Sequence, residues 1–543
     1  MRGRRALIAA AGAALALPAL TIPALAAPRG KKPEFQGVVA ETSRGRVRGV
    51  NNDGIRTFKG IPYAASTEGV NRFRAPKPAT PWKGIRDTLA YGPICPQETR
   101  PRPSYSASWA SEQTMGEDCL VLNVWTPALR DHHKRPVMGW IHGGGFSTGS
   151  GANPVYDGTN LARKGDVVVV TLNHRLNIFG HLYLARAGGT EFAESGNLGI
   201  LDLVAALRWV HTHIAEFGGD PANVTIFGQS GGGAKVSTLL AMPQTRGLFH
   251  RAIVQSGSHL DGLSLDEAHA SALAFLKAAD IPVTDLARLQ KLPFEQLLAV
   301  HRKLMSAPGA RPNFSPVVDG RFLPRAPWTP DGPAASAGIP MMIGTTRTET
   351  TALIGASDPS LFTLDEAGLR ARLASWVPAG EMERVVAVYR KAAPAAIPSD
   401  LFFAITSARR VRQQAWLQAE RKAAQNGAPV WLYELDWQTP VEGGKWKSPH
   451  SLDLAFVFDN VAKSESMVGK GEEQRVLAEQ MSGAWLAFAR SGNPNHKGLP
   501  QWPAFRASER ATMVFDAKSR AVNDFRGDER QVLASLPVYR VSR

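Results

Sequence analysis

The chain has few of the residues that build metal centres. It contains two cysteines in 543 residues, Cys95 and Cys119. Thirteen histidines are present, but pairs such as His211 and His213 stand apart from any cysteine or histidine cluster with metal-ligand spacing. Isolated pairs of this kind are typical of solvated or structural histidines. The sequence therefore predicts no metal site.

Long runs of basic residues are also missing. The formal net charge is +16, and it falls to +13 when the three arginines of residues 1–26 are removed. A basic protein can bind nucleic acid or anionic surfaces. Here the basic residues are scattered in short runs such as residues 409–412, without the aromatic interleaving of a nucleic-acid module. We therefore expect a solvated basic surface and no nucleic-acid partner.

No Ser/Gly/Pro-rich linker or internal repeat divides the chain, although its length alone would suggest three or four domains. Apolar runs typical of buried parallel strands alternate with amphipathic stretches, such as the apolar helical face from Ile200 to Ile214. A late helix is expected over residues 473–490. This alternation predicts an α/β fold with a large, mostly parallel twisted sheet flanked by helices, in one domain over residues 27–543.

The first 26 residues have the pattern of an export signal. Arg2, Arg4 and Arg5 precede a long Ala/Leu-rich run that ends in an A-x-A cleavage site at residues 24–26. We therefore expect cleavage after Ala26 and a secreted or cell-envelope protein. The arginine pair fits a twin-arginine signal or an ordinary basic n-region, and the residues favour neither. No second apolar segment is long enough to span a membrane, so we expect no integral anchor.

The most informative motif is Gly-Gln-Ser-Gly-Gly at residues 228–232. It follows an apolar, strand-like run and leads into a helix-like segment, residues 232–242. On such a strand–turn–helix elbow the Ser230 hydroxyl is pushed out of the sheet, and glycines remove the side chains that would collide there. Gly-x-Ser-x-Gly by itself also occurs in structural turns. The strand-to-helix context predicts a nucleophilic serine.

A second glycine-rich loop lies upstream. The buried strand expected over residues 137–141 runs into His-Gly-Gly-Gly-Phe at residues 142–146. A tetrahedral oxyanion needs backbone N–H groups that converge at about 3 Å, and glycines allow the backbone to come that close. A turn of this type supplies such donors together with the N–H after the nucleophile, here Gly231. The two loops together predict an oxyanion hole.

A serine hydroxyl needs a base to activate it and an acid to orient that base. On a fold with this elbow both follow the serine, in the order Asp/Glu and then His. The histidines after the elbow are His250, His259, His269, His301, His450 and His496. His450 stands in a loop before an apolar run, and Glu349 follows a strand-like segment, residues 340–343. Their positions make these two residues eligible without selecting them.

Several further segments give the chain a family resemblance. They run in order from about residue 37 to residue 515 and comprise residues 58–64 (FKGIPYA), 116–124 (GEDCLVLNV), 173–176 (NHRL), 196–202 (GNLGILD) and 217–221 (FGGDP). With the two glycine loops they resemble the type B carboxylesterases, the family that includes the cholinesterases. The resemblance implies an α/β-hydrolase fold and hydrolysis of a small-molecule ester without a cofactor.

The resemblance also implies residue roles. In the family the acid is a glutamate five residues after a strand-end glycine, which matches Gly344 and Glu349. The base histidine precedes a Phe-Val-Phe segment, which matches His450 and residues 456–458. In the implied two-step acyl transfer, His450 takes the proton of Ser230 and later protonates the leaving alcohol.

Matching the glycine loop assigns Gly144 and Gly145 as oxyanion donors, with Gly231 as the third. The family's usual elbow is Gly-Glu-Ser-Ala-Gly, so Gln229 and Gly231 are departures. The glycine keeps the N–H of the hole. The glutamine removes a carboxylate beside the nucleophile, which weakens any preference for cationic substrates.

Three side-chain links are implied as well: Cys95 with Cys119 as a disulfide, Arg72 with Glu117, and Arg175 with Asp202. The disulfide agrees with an even cysteine count in an exported protein. Its alternative is two buried free thiols. The alternative to the ion pairs is four separately solvated charges.

Two aromatic residues are candidates for the substrate pocket. Trp109 lies ten residues before Cys119, where cholinesterases have a tryptophan that stacks on a quaternary ammonium. Phe314 matches an aromatic residue that lines the acyl pocket. A packing or exposed tryptophan is the alternative for Trp109. We expect a general carboxylesterase, while lipase, thioesterase or cholinesterase-like activity, a non-enzymatic adhesion role and the oligomeric state stay open.

Overall fold

The computed structural model describes residues 37–99, 102–309 and 311–539, so the expected export signal and its cleavage site lie outside the described residues. The described residues form one thirteen-stranded sheet. Its strands are β1 Gly37–Thr42, β2 Gly45–Asn52, β3 Ile55–Pro62, β4 Ile85–Asp87, β5 Val121–Thr126, β6 Arg135–Ile141, β7 Val168–Leu172, β8 Gly219–Gln229, β9 Arg251–Gln255, β10 Met341–Thr346, β11 Val430–Leu435, β12 Thr512–Phe515 and β13 Arg520–Val522.

The strand order is β1-β2-β3-β5-β7-β6-β8-β9-β10-β11-β12-β13, with β4 paired to β2. From β7 to β12 all neighbours are parallel, whereas the pairs at both edges of this order are antiparallel. The predicted α/β fold with a mostly parallel sheet is confirmed. Parallel strands end at the same edge, so β6, β8, β9, β10 and β11 bring their following loops together.

Helices connect and cover the strands. They are α1 Thr159–Gly165, α2 Asn177–His181, α3 Ala185–Gly188, α4 Leu198–His213, α5 Gly231–Leu239, α6 Leu265–Ala278, α7 Leu286–Lys291, α8 Phe294–Ser306, α9 Glu366–Leu373, α10 Met382–Ala392, α11 Pro398–Ser407, α12 Gln413–Ala423, α13 Asp453–Val457, α14 Glu465–Val468, α15 Glu472–Ser491 and α16 Gly527–Ala534. The late helix expected over residues 473–490 is α15.

The two faces of the sheet are both buried. Val137 and Ile226 belong to one apolar layer, which includes the buried side of α4. Met138 and Phe227 belong to the other, which includes Trp485 of α15. Alternate side chains of a strand point to opposite faces, so covering both faces requires the continuous apolar runs seen in the sequence.

One expectation about apolar segments is corrected. The helical segment Leu198–Phe217 is, within the described ranges, long and apolar enough to cross a membrane by length and composition. Its most apolar window is 72% buried inside the fold. The segment is apolar because it packs as a core helix between the sheet and its neighbours.

Candidate active site

Ser230 lies on the sharp turn between β8 and α5. Its backbone φ of 59° and ψ of −126° are strained for a residue with a side chain. The turn is held from both sides: the Ser230 N–H donates to the Gln255 carbonyl at 2.8 Å, and its carbonyl accepts from Ala234 at 3.0 Å. The side chain is half-buried. The predicted strand–turn–helix elbow is present.

The glycine loop after β6 packs directly against this elbow. A Cβ added to Gly231 would lie 2.2 Å from the Gly145 carbonyl oxygen, so a side chain at this position requires a backbone shift. Gly144 has φ +94°, and a Cβ there would lie 2.3 Å from the Thr148 carbonyl oxygen. The structure therefore brings the three glycines assigned as donors into one place, and close contact depends on their lacking side chains.

Glu349 and His450 form a hydrogen-bonded pair. The imidazole Nδ1 of His450 donates to the Glu349 carboxylate in a short contact. The carboxylate is fully buried, and its other oxygen accepts from the Thr346 N–H at 2.9 Å and from the Ser256 hydroxyl at 2.6 Å. These three donors hold the carboxylate in one orientation and leave Nε2 of His450 as the basic nitrogen.

The imidazole of His450 packs against the residue before the serine. The Gln229 amide nitrogen lies over the ring face, 3.2 Å from Nε2 and 3.5 Å from Nδ1, and the Gln229 carbonyl accepts from the Ser451 hydroxyl at 3.1 Å. Within the part of the chain that the structure describes, the Ser230 hydroxyl makes no hydrogen bond. Catalytic hydrogen bonds often form only when substrate is bound. The structure thus brings His450 beside the elbow, with the Gln229 amide over the face of its ring.

A second buried carboxyl group lies near this pair. Asp453 accepts from the Gln255 amide at 2.7 Å and from the Tyr433 hydroxyl at 3.2 Å. Burial raises the pKa of Asp453 to about 6, and the neighbouring Glu349 charge adds to this effect. His450 donates its Nδ1 hydrogen bond to Glu349 and not to Asp453, so the geometry favours Glu349 over Asp453 as the orienting acid.

The sequence did not predict the residues that hold the two buried carboxyl groups and the serine turn in place. Ser256 follows β9 and donates to Glu349, and Gln255 accepts from the Ser230 backbone and donates to Asp453. The available signal was a Gln-Ser-Gly turn after an apolar run, residues 252–254. That signal becomes informative once β9 is known to lie beside β8.

The two predicted pocket aromatics are packing residues in the structure. Trp109 is 4% exposed and its indole N–H donates to Ser464 at 2.9 Å. Phe314 is buried and packs edge-on against Phe275, with the two ring centroids 6.3 Å apart. The ring centroid of His301 lies 5.6 Å from that of Phe314. These contacts account for both aromatic side chains, and a role in substrate binding stays a prediction.

A cavity of about 520 Å³ is lined in part by residues 111–114, which follow Trp109 in the chain. Lys59, Tyr91, Asp157 and Lys463 are among its lining residues, and none of Ser230, Glu349 or His450 contributes to it. Lys463 and Asp157 form an ion pair of 2.8 Å across one side. This cavity is separate from the elbow.

The predicted disulfide is corrected by the structure. Cys95 and Cys119 are both buried free thiols, and they hydrogen bond to one another, which raises the pKa of Cys119 together with burial. The Cys95 sulfur also accepts from the Leu176 N–H at 3.3 Å. The two side chains meet as the resemblance implied, but they pack as separate small hydrophobes with satisfied sulfur atoms.

Both predicted ion pairs are confirmed. Arg72 donates to Glu117 through two nitrogens, one of them at 2.7 Å. Arg175 donates to Asp202 at 2.8 and 2.7 Å, and its backbone N–H adds a third bond at 2.9 Å. All four side chains are buried. Paired, bidentate geometry of this kind is what makes a buried charge tolerable.

The arrangement of loops at the carboxyl ends of parallel strands is that of an α/β hydrolase with a serine elbow. The chain belongs to the carboxylesterase family, whose model matches residues 36–532. It is therefore a hydrolase of that family.

Similar proteins extend this finding. The para-nitrobenzyl esterase of Bacillus subtilis is 37% identical over 507 residues, covering 91% of this chain and 98% of that protein. The phenmedipham hydrolase of Pseudarthrobacter oxydans is 34% identical, over 88% of this chain and 94% of that protein. The crystal structure of a Geobacillus stearothermophilus carboxylesterase has a TM-score of 0.79 and 42% identity, over 91% of this chain and 99% of that one.

Proposed function

We propose that the protein is a secreted serine carboxylesterase that uses a Ser230–His450–Glu349 triad. His450 takes the proton from Ser230 as the serine attacks the ester carbonyl, and His450 then protonates the leaving alcohol. Water repeats the cycle on the acyl-enzyme. Glu349 orients His450 and stabilises its cationic form.

The oxyanion of both tetrahedral intermediates is held by backbone N–H groups of Gly144, Gly145 and Gly231. The observation that supports this mechanism best is the buried Glu349–His450 hydrogen bond beside the elbow. An imidazole fixed through Nδ1 keeps Nε2 free as a base, and the residue next to Ser230 packs against the same ring. A structural histidine would not need such an arrangement next to a strained serine.

Hydrolysis of p-nitrophenyl esters of increasing acyl length tests the proposal. We expect turnover of short and medium acyl chains in the purified protein, and covalent inactivation by a serine-directed organophosphate. Ser230→Ala is the matched control, because it removes the hydroxyl and leaves the fold. An active Ser230→Ala variant, or a wild-type protein that turns over no ester, contradicts the proposal.

The acyl-length series also separates the open activities. A maximum at long, insoluble esters indicates a lipase, and a preference for thioesters indicates a thioesterase. Comparing acetylthiocholine with an uncharged isostere tests the cholinesterase alternative. Because Gln229 is neutral and the Trp109 indole is held by Ser464, we expect a cation preference below about tenfold, or roughly 1.4 kcal/mol.

Export is the second part of the proposal. The basic start, the apolar run and the A-x-A site support cleavage after Ala26. Expression of the full chain in a secreting host, followed by N-terminal sequencing, should find Ala27 first. Replacing Arg4 and Arg5 by lysine should block export only if the twin-arginine route is used.

A further inference from the structure

A buried lysine joins the two parts of the oxyanion hole. Lys235 lies on α5, one turn after Gly231, and is 0% exposed. Its ammonium donates to the His142 carbonyl at 3.1 Å and lies 5.8 Å from the centre of the Phe146 ring. His142 and Phe146 flank the three glycines of the loop on either side. The ammonium therefore contacts both ends of the glycine loop from the helix that carries the third donor.

The charge of Lys235 is not compensated by an acid. Among the described residues no carboxylate forms an ion pair with it, and burial lowers its pKa to about 7. The titratable groups around it are imidazoles: His142 at the end of β6, His174 after β7 and His181 in α2. Burial is the main reason that the pKa of each imidazole is lowered, and the Lys235 charge adds to it.

Burial keeps these imidazoles neutral, and a hydrogen bond from Nδ1 fixes the orientation of each ring. Nδ1 of His142 donates to the Gly143 carbonyl at 2.8 Å, Nδ1 of His174 to Arg175 at 2.8 Å, and Nδ1 of His181 to Gly196 at 2.9 Å. The His142 and His174 rings stack with centroids 4.8 Å apart. Lys235 is thus the cation of a buried cluster of neutral rings packed beneath the loop.

A lone buried cation destabilises the folded state, and this one lies directly against the loop that carries two of the proposed oxyanion donors. We propose that Lys235 is a positioning residue for ester hydrolysis, whose ammonium holds the Gly143–Gly145 backbone against α5 so that the oxyanion donors converge. This inference rests on the proposed function. The positive charge also favours negative charge developing nearby in a site of low dielectric.

The test compares Lys235→Met with the wild type on a p-nitrophenyl ester between pH 6 and pH 9. Methionine nearly matches the lysine stem but has neither the charge nor the donor. At pH 6 we expect kcat to fall about tenfold or more with KM within about twofold, since positioning acts on the transition state. The ratio of wild-type kcat to Lys235→Met kcat should be at least threefold smaller at pH 9, because Lys235 has then lost its charge.

Lys422→Met is the matched control. Lys422 is also a fully buried lysine, bound to the carbonyls of Ser336 and Ala337 at 2.7 and 2.9 Å, and burial lowers its pKa to about 8. A merely structural effect of losing a buried lysine would change stability in either variant without altering the pH profile of kcat. We expect unchanged kcat and pH profile in Lys422→Met.

Lys235→Gln gives a second variant if Lys235→Met does not fold, because it keeps an N–H donor without the charge. Its kcat should also lie below that of the wild type at pH 6, with the same loss of pH dependence. Wild-type kcat and pH profile in either folded Lys235 variant overturn the inference. A wild type without esterase activity instead overturns the proposed function, so the two failures are distinguishable.

Discussion

The amide nitrogen of Gln229 lies 3.2 Å from Nε2 of His450. It also lies 3.5 Å from Nδ1, which is bound to Glu349, so the amide rests over the face of the imidazole ring and leaves the in-plane lone pair of Nε2 open toward other groups. The side chain at position 229 is thus in direct contact with the imidazole of His450.

Gln229→Glu tests that role. A carboxylate at this place would stabilise the imidazolium form of His450, because an opposite charge within about 4–6 Å favours the charged state. We therefore expect the acidic limb of the kcat/KM profile to move to higher pH by about one unit. Gln229→Ala, measured in parallel, is the control without a charge. If the acidic limb of the Gln229→Glu profile stays at the wild-type pH, the side chain at position 229 does not act on the base.

The second prediction separates the two buried acids. Ser230→Ala and His450→Ala should lower kcat by several powers of ten, and Glu349→Gln should lower it less severely, because the imidazole then loses only its orienting acceptor. Asp453→Asn should retain most activity, because Asp453 bonds Gln255 and Tyr433. Steady-state kinetics of both folded variants decides, and the reverse order of effects would make Asp453 the acid.

Gly231→Ala is the third prediction. Relatives with Gly-Glu-Ser-Ala-Gly carry this alanine, yet here its Cβ would lie 2.2 Å from the Gly145 carbonyl oxygen. The loop has to move away, which separates oxyanion donors. We expect kcat to fall tenfold or more with little change in KM. Equal kcat in the two proteins would mean that the loop relaxes at no catalytic cost.

The fourth prediction concerns the Arg175–Asp202 pair. Arg175→Met leaves the fully buried Asp202 carboxylate without its partner, which should cost about 3–5 kcal/mol in urea unfolding. Arg48→Met is the control, since the Arg48 and Asp87 side chains are 41% and 55% exposed. Its cost should stay below about 1 kcal/mol. Similar losses in the two variants would contradict the distinction.

The fifth prediction is a stability gain in Lys235→Met. The Lys235 pKa is about 7 in the folded protein against 10.5 ordinarily, so above pH 7 the unfolded chain binds the extra proton. Wild-type stability therefore rises with pH from about 7 to 10.5, and the cost of burying the charge is fully present below 7. The variant should gain on the order of 3 kcal/mol at pH 6 and clearly less at pH 9 in urea unfolding. A gain independent of pH would contradict the assigned charge.

Local pattern was enough to predict much of this molecule. The elbow, the strand before the glycine loop and the late helix were predicted because each has a continuous apolar run or face ended by glycine or proline. Glu349 and His450 were only eligible by pattern, and the family resemblance selected them. Their hydrogen bond now supports that selection.

Other parts could not be predicted because they depend on which strands become neighbours. Ser256 reaches Glu349 because β9 pairs with both β8 and β10. Lys235 reads as an ordinary helical lysine until α5 is packed under the glycine loop. Cys95 and Cys119 show the converse: the family resemblance correctly placed the two side chains together, but the disulfide predicted between them is wrong.

The residues of the proposed triad lie far apart in the chain and are therefore synthesised at different times. His450 follows Ser230 by 220 residues, and synthesis at about 5–20 residues per second separates their appearance by roughly 10 to 45 s. During that interval the chain has an elbow without its proposed base, since Glu349 is made about midway and His450 only at the end. On the proposed mechanism, ester-cleaving competence is therefore acquired late in biogenesis, and a product truncated before residue 450 would carry Ser230 without the base that activates it.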